Sequence, residues 1–229
     1  MKVLSGGAAA ALVKAMQPAF TRQTGAGIDG TFSAVGMMRD QLLAGAPCDL
    51  VILTAPLIAE LTASGHVVAG TAQSLGLVRT GIALRSGEQL APIASADELR
   101  NALRGASGIY FPDALKSTAG RHFMHVLRKL GLDQELQPVL RQYPNGETAM
   151  REMAACPQAG LIGCTQVTEI NGTPGVELHA LLPAEFELAT DYTLGICTGA
   201  EQPDQARVLA AMLTGPASEA VRRQGGFAF

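Results

Sequence analysis

The sequence predicts an α/β protein with two lobes, each built on a mainly parallel sheet flanked by helices. Its 229 residues allow one large or two small lobes, because an ordinary domain takes roughly 100–200 residues. Hydrophobic residues make up 48% of the chain and charged residues 16%, a balance that supports packed cores and excludes global disorder. Strand-like apolar runs alternate with helical patterns, which is typical of βαβ units and parallel sheets.

The first series of predicted elements covers the first 65 residues. Strands are predicted at residues 2–5, 27–32 and 49–53, and helices at residues 8–24, 35–44 and 55–64. The continuous apolar run at 49–53 is typical of a strand buried on both faces. Pro18 lies inside the first helical pattern and predicts a kink or break there, and Thr54 is expected to cap the third helix.

A second series begins after Gly76 and is followed by two closing helices. Strands are predicted at residues 77–84, 108–111, 160–162, 176–181 and 190–197, and helices at residues 96–103, 117–130, 147–155, 203–214 and 217–224. The closing helices are more than the second series needs, so we expect the second lobe to be inserted into the first. Lobe 1 is then residues 1–78 and 195–229, and lobe 2 is residues 79–194, with crossover strands near 77–84 and 190–197.

Composition excludes several classes of protein. The formal net charge is −3, from 17 basic and 20 acidic residues, and this argues against a nucleic-acid partner. No apolar run reaches about 18 residues, so we expect no membrane insertion. Cys48, Cys156, Cys164 and Cys197 have no zinc-like spacing, so we expect no metal; free thiols are favoured over a Cys156–Cys164 disulfide. We expect a monomer.

The N-terminus leaves the compartment open. Met1 and Lys2 precede a mostly apolar stretch to Val13, but the residues Ser5-Gly6-Gly7 interrupt it before an export signal is complete. The sequence as it stands predicts a cytoplasmic protein. The alternative is a periplasmic mature form whose leader was removed.

The candidate ligand site consists of strand-to-helix junctions, because ligands of open α/β sheets bind where strands end and helices begin. Paired glycines and helix-start amides suit an anion there. The candidate contacts at these junctions are Ser5, Gly6, Gly7, Ala8, Ser33, Ala34, Val35, Ser117, Thr118, Asn145, Gly146, Glu147, Cys164 and Thr165. The alternative for each is an ordinary tight turn or helix cap without a ligand. Five such junctions together predict a small-anion cleft between the lobes.

Two arginines complete the candidate set. Arg79 interrupts an apolar strand at the expected crossover, and Arg121 lies one turn inside a helix start, where it opposes the helix dipole. A forked clamp on a carboxylate would explain both, and exposed surface arginines are the alternative. No cofactor is expected: residues 25–30 match the GxGxxG fingerprint but follow a helix and enter a strand, the reverse of a dinucleotide loop.

The chain resembles the type 2 periplasmic-binding-protein family in its molybdate-binding-protein-like branch. The resemblance covers nearly the whole chain and is carried by the opening strand Val3-Leu4-Ser5 and by the segments at residues 43–50, 77–87, 117–131, 182–184 and 213–216. It departs from the molybdate binders at Ala8, at residues 34–37 and at Gly163 or Cys164, where the family has hydroxyl-bearing residues. These departures argue against molybdate and tungstate, and Arg79 and Arg121, if they face the cleft, favour a planar carboxylate because their forked donors match it in two bonds.

The resemblance implies a solute receptor that captures a small oxyanion or carboxylate and delivers it to an ABC permease. Some members of the branch resemble isomerases that move a double bond in an unsaturated carboxylic acid, so a di- or tricarboxylate isomerase of the aconitate-isomerase kind is the alternative. Such an enzyme needs a base near an acidic C–H. Glu147, Thr165 and His122 are the candidate bases.

Overall fold

A computed structural model describes residues 1–229 and contains ten strands and nine α-helices. Its strands are β1 (Lys2–Gly6), β2 (Asp29–Ser33), β3 (Leu50–Thr54), β4 (Gln73–Arg85), β5 (Gly108–Pro112), β6 (Leu140–Tyr143), β7 (Leu161–Gln166), β8 (Val176–Leu181), β9 (Ala189–Ile196) and β10 (Phe227–Ala228). Its helices are α1 (Ala10–Thr24), α2 (Val35–Leu43), α3 (Ala55–Ala63), α4 (Ala96–Arg104), α5 (Thr118–Leu130), α6 (Gly146–Ala155), α7 (Val167–Asn171), α8 (Pro203–Thr214) and α9 (Glu219–Gly225).

The chain divides into two compact units. Unit 1 comprises Met1–Val78 and Thr190–Phe229, and unit 2 comprises Arg79–Ala189. The first boundary lies between residues 78 and 79, and the second lies earlier than the 194/195 boundary that the sequence suggests. Unit 2 is one continuous segment, whereas unit 1 is assembled from the two ends of the chain.

Unit 1 is built on a sheet in the order β2-β1-β3-β9. Strand β1 pairs in parallel with both β2 and β3, while β9 runs antiparallel to β3. Every residue of β3 is buried, as expected for a central strand covered on both faces. Its core includes Phe20, Met38 and Leu209, which come from α1, α2 and α8. The helices therefore cover the sheet by burying one apolar stripe each.

Unit 2 is built on strands in the order β6-β5-β7-β4, with β8 on the other side of β4. Strands β5, β6 and β7 are parallel, and β4 is antiparallel to β7 and to β8. Two apolar clusters pack here: one contains Phe111 and Phe123, the other Met150 and Met153. The parallel strands thus end at one common edge of this sheet.

Several local expectations need correction. Helix α1 continues through Pro18 without a break and is preceded by a 3₁₀ turn at Gly7–Ala9. Thr54 makes no side-chain cap hydrogen bond to α3. The sequence reading also missed β6, α7 and β10. Strand β6 carries Arg141 and Gln142 on only four partly exposed residues, so it lacks the apolar alternation that signals a strand.

The buried Asp49 carboxylate joins three segments of unit 1. Its Oδ2 accepts a hydrogen bond from the Lys2 amide at 2.6 Å, and its Oδ1 accepts one from the Gln202 amide at 2.9 Å. Its carbonyl oxygen also accepts from the Cys197 amide at 3.0 Å. Only 3% of Asp49 is exposed, so these charge-assisted bonds are shielded from water. The start of β1 and the start of α8 are thereby fixed to β3.

The four cysteines are free, and Cys48, Cys164 and Cys197 are buried. The structure therefore contains no Cys156–Cys164 disulfide. No helix of the chain combines the length and the hydrophobicity that a membrane crossing requires.

Replacing Asp49 tests this junction. We expect Asp49→Ala to lower the free energy of unfolding by about 2–4 kcal/mol, because two partly buried amides lose a charged acceptor. Chemical denaturation measures the change. Asp204→Ala is the matched control, since Asp204 is exposed and bonds only to Arg207 in the same helix turn. Equal stability of the two variants would contradict a structural role for the Asp49 carboxylate.

Candidate functional site

Three strand ends of unit 1 lie at one edge of its sheet. Strands β1, β2 and β3 are parallel, and Gly6 is level with Ser33 in the register. Each strand leads directly into a helical segment: the 3₁₀ turn and α1, then α2, then α3. The predicted residues Ser5 to Ala8 and Ser33 to Val35 are therefore brought together at this edge. Because helix starts carry unsatisfied amides and a positive dipole end, the edge suits an anion.

None of these helix starts has a side-chain cap. The N-cap positions of the 3₁₀ turn, α1, α2 and α3 are Gly6, Ala9, Ala34 and Thr54, and none makes a side-chain cap hydrogen bond. The first amides of a helix have no partner inside the helix, so they bind water, another group or a ligand. Unit 1 thus presents amide donors at three neighbouring helix starts.

The two predicted serines of this edge have local partners. Ser5 is fully buried, and its Oγ donates to the Gly6 carbonyl at 2.9 Å. The Ser33 Oγ lies 3.8 Å from the Met37 sulfur. The Ser5 hydroxyl therefore already donates its proton to a backbone carbonyl. The backbone amides are the donors that remain at the end of β1.

Gly6 lets the end of β1 pack closely against the start of α2. A Cβ atom at residue 6 would lie 2.7 Å from Val35 Cγ1 and 3.2 Å from Tyr192 Cε1. Real side chains do not tolerate the first distance, so only glycine lets β1 end this close to the start of α2. Tyr192, which the sequence reading missed, is buried on β9 opposite Thr54. Its aromatic ring lies beside Gly6.

The parallel strands of unit 2 bring a second group of predicted residues to one edge. Pro112 at the end of β5 is level with Tyr143 at the end of β6, and β7 ends at Gln166. Here the helix starts are capped: Ser117 accepts from the Gly120 amide at 3.3 Å, and Asn145 accepts from the Thr148 amide at 2.8 Å. Both residues therefore have the cap role that was the alternative to ligand binding.

Thr118 is different from these caps. Its Oγ1 is buried and has no hydrogen-bond partner in the structure, although it stands at the first residue of α5. A buried hydroxyl without a partner is costly, so such a group is expected to find an acceptor. Among the candidate residues at this edge, Thr118 is the one whose buried hydroxyl lacks a hydrogen-bond partner.

A buried glutamate of α7, Glu169, which the sequence reading missed, has its carboxylate against the start of α6. The Glu169 Oε2 accepts a hydrogen bond from Thr165 Oγ1 at 2.5 Å, and amides of Gly146 and Gln166 also donate to this carboxylate. Burial raises the pKa of Glu169 to about 7, with the nearby Glu147 carboxylate adding to the rise against the opposing hydrogen bonds. The predicted contacts Gly146 and Thr165 are thus already engaged by a carboxylate of the chain itself.

Gly146 is the one signal in the sequence that could have revealed this arrangement. A Cβ atom at residue 146 would lie 2.0 Å from Glu169 Oε2 and 2.1 Å from Thr165 Oγ1. Glycine at this position therefore makes room for the carboxylate. Cys164, the neighbouring candidate, is fully buried, and burial raises the pKa of its thiol, so it stays neutral in the core.

The two predicted arginines lie on the surface of unit 2. Arg79 is exposed and forms an ion pair with Glu187 at 3.1 Å, and Arg121 is exposed near the start of α5. Both side chains are accessible to solvent, and their role in ligand binding stays a prediction. His122, a candidate base, uses its Nε2 in a 2.7 Å hydrogen bond with the Phe186 carbonyl, so this nitrogen carries the proton. No group of three or more potential metal ligands occurs in the chain.

Sequence comparison now identifies the family. The model for bacterial extracellular solute-binding proteins matches residues 1–228. The chain belongs to this family. An aconitate isomerase from Pseudomonas sp. is 25% identical over 217 residues, covering 91% of this solute-binding protein and 80% of the isomerase.

Solved structures confirm the predicted fold. The periplasmic molybdate-binding protein of Azotobacter vinelandii superposes with a TM-score of 0.83 at 16% identity, covering 100% of this solute-binding protein and 99% of its own chain. The sulfate-binding protein of Mycobacterium tuberculosis has a TM-score of 0.73 at 16% identity, with coverages of 99% and 85%. The resemblance to the molybdate-binding-protein-like branch is confirmed at the level of the fold.

The buried Glu169 predicts how the stability of this solute-binding protein changes with pH. Its folded pKa lies above the ordinary glutamate value, so folding disfavours the ionised form and stability falls as pH rises from about 4.5 to about 7. The full loss from this group is on the order of 3 kcal/mol. We expect Glu169→Gln to remove this loss, so the difference in stability between wild type and variant changes between about pH 4.5 and pH 7 and is constant at higher pH. Parallel denaturation curves that keep a constant separation would contradict a raised pKa.

Proposed function

We propose that this solute-binding protein captures a small anion, a carboxylate in preference to a tetrahedral oxyanion. The observation that carries the proposal is the set of neighbouring helix starts in unit 1, at Gly6, Ala34 and Thr54, whose amides have no side-chain cap. Helix-start amides bind anions without a charged side chain. The family to which the chain belongs and the two superposed anion-binding proteins support the same class of ligand.

The preference for a carboxylate rests on the donor set. A tetrahedral oxyanion needs donors around all its oxygens, and hydroxyl groups are useful for this because they can be aimed. At the unit-1 edge Ser5 donates to its own chain, and alanine occupies positions 8 and 34. A carboxylate needs donors in one plane, which two adjacent helix starts can supply.

As a family member, the protein would act as the receptor of an ABC permease and would lie in the periplasm. Both assignments are part of the proposal, and the description of the family as bacterial extracellular solute-binding proteins supports them.

A matched pair of variants at Ala34 tests anion capture by unit 1. Ala34→Asp puts a carboxylate at the N-cap of α2, where it bonds to the amides and repels a second anion. We expect at least about a tenfold loss of affinity for the bound carboxylate, equal to about 1.4 kcal/mol. Thermal-shift screening with molybdate, sulfate, phosphate and a carboxylate panel identifies that ligand, and titration calorimetry measures the affinity.

Ala34→Asn is the control, because asparagine caps the helix with the same shape and no charge. It should retain more affinity than Ala34→Asp. An equal loss in both variants would indicate steric blockage instead of charge. Stabilisation of the wild type by micromolar molybdate, with none from any carboxylate, would overturn the ligand preference.

Isomerisation of an unsaturated di- or tricarboxylate is the second candidate function, and the similarity to aconitate isomerase favours it. Such a reaction removes a proton from one carbon and returns a proton to another as the double bond moves. Glu147 is half-buried at the start of α6 and is the carboxylate among the predicted bases. A base of this kind must reach the C–H bond directly.

Incubation with cis- or trans-aconitate, followed by ultraviolet absorbance, tests this candidate. If the protein is an isomerase, we expect a change that is lost on Glu147→Gln and kept by Glu152→Gln, an exposed position of the same helix. A rate no greater than that of buffer would exclude isomerisation of these substrates.

A further inference from the structure

Cys48 and Cys197 form a buried pair of thiols in unit 1. Cys48 lies two residues before β3, and Cys197 directly follows β9. In the antiparallel pairing of these two strands Leu50 is level with Ile196, and the Cys197 amide donates to the Asp49 carbonyl at 3.0 Å. The pairing thus continues past the strand ends and brings the two cysteines side by side.

The two thiol groups contact each other. The Cys48 Sγ donates to the Leu50 carbonyl at 3.2 Å, and its sulfur is hydrogen-bonded to the Cys197 thiol. Both cysteines are buried and belong to the apolar core of unit 1. A disulfide needs its two sulfurs about 2 Å apart, on side chains that approach from neighbouring segments. Joining this pair therefore requires side-chain rotation and no change in the pairing of β3 with β9.

The backbone around the pair is fixed by hydrogen bonds. Beside Cys48, the Asp49 amide donates to the Lys2 carbonyl at 2.9 Å. Cys197 forms an antiparallel bridge with Val67, on the side of β9 away from β3. The two cysteines cannot separate without breaking these bonds, so each thiol meets the other at a high effective concentration.

We propose that Cys48 and Cys197 are a disulfide site, which cross-links the two chain segments of unit 1 when the protein folds in an oxidising compartment. Each thiol loses one proton and one electron, and the new bond joins the two sulfurs. The oxidant is a second disulfide, carried by a small molecule or by another protein, which takes up both electrons and both protons and is cleaved to two thiols. The periplasmic location, which is part of the proposed function, supplies such conditions. The contact between the thiols is independent of any ligand.

Because both thiols are buried in the folded protein, the exchange begins before unit 1 has closed. The thiolate of one cysteine attacks the external disulfide, forms a mixed disulfide and releases the first external thiol. Pairing of β3 with β9 then brings up the second cysteine, whose thiolate attacks the sulfur of the first. The cross-link forms, and the second external thiol leaves. In the folded protein, burial of both sulfurs restricts the access of reducing thiols to this bond.

The cross-link acts on the stability of the whole chain. It closes the segment between residues 48 and 197, which contains all of unit 2. Closing so long a segment restricts the unfolded chain, so the oxidised protein is more stable than the reduced one. The pair lies before the start of β3, whereas the helix starts of the candidate ligand site follow the ends of β1, β2 and β3. The disulfide therefore forms at the opposite edge of the unit-1 sheet from the candidate site.

Refolding of the full chain from denaturant tests the proposal. Wild type is refolded with a mixture of reduced and oxidised glutathione and, in parallel, with a phosphine reductant. Peptide mapping by mass spectrometry then identifies any disulfide. We expect a Cys48–Cys197 peptide pair in the oxidised sample, with no disulfide between Cys156 and Cys164. We also expect the midpoint of thermal unfolding to be about 5–15 °C higher in the oxidised sample than in the reduced one.

Mapping of the same chain after export to a bacterial periplasm gives the result without refolding. Four cysteines without any intramolecular disulfide in both oxidised preparations would overturn the proposal, and so would a disulfide that involves Cys156 or Cys164 in place of the Cys48–Cys197 pair. The mapping needs no ligand. If no member of the anion panel binds, the proposed function fails while the disulfide is still tested.

Two variants separate the cross-link from a general effect of the oxidant. Cys48→Ala should lose the rise in midpoint between reduced and oxidised samples, because Cys197 then has no partner. Cys156→Ala is the matched control and should keep the rise, since Cys156 lies in unit 2. Each variant is compared with its own reduced form, so the cost of removing a thiol from the core does not enter the comparison. A rise of the same size in Cys48→Ala and in wild type would overturn the assignment of the cross-link to this pair.

Discussion

The parallel pairing of β1 with both β2 and β3 is the constraint on which the candidate site depends. It places Gly6 level with Ser33 and Ser5 level with Ile52, so the three strands end together. Parallel neighbours must be joined by crossover segments, and here each crossover is a helix that begins at the same edge. If β2 ran in the opposite direction, the start of α2 would lie at the far end of the sheet. The cluster of amides is thus a consequence of strand direction.

The two units satisfy the amides of their helix starts by different means. In unit 2, Ser117, Asn145 and Glu169 supply side-chain oxygens, so at least one amide at the start of each of α5, α6 and α7 is engaged within the chain. In unit 1 the N-cap positions include Gly6 and Ala34, which have no side-chain oxygen to offer. Since every helix start needs acceptors, the unit-1 edge must obtain them from water or from a ligand.

Sequence patterns predicted the elements that bury long apolar runs, and missed those that depend on tertiary partners. The five apolar residues of β3 and the stripe of α5 were evident because period and burial agree. Strand β6 is a strand because β5 pairs with it, and its own four residues give no such signal. The same holds for the site. The junction residues could be predicted from glycines and hydroxyl side chains in the sequence. For Glu169 the sequence offers only Gly146 as a signal, and this glycine lies about twenty residues away along the chain.

At a sheet edge whose donors are backbone amides, the few ionisable side chains have an unusually large effect on the local charge. Backbone N–H groups carry partial charges and no net charge, whereas an arginine clamp would add full positive charges that outweigh a neighbouring carboxylate. Arg79 is instead paired with Glu187 on the surface, and Arg121 is exposed. Near the start of α6 the Glu147 carboxylate adds to the rise in the pKa of the buried Glu169. Protonation of Glu169 halves the negative charge of this pair, a change that would be small beside the full positive charges of an arginine clamp.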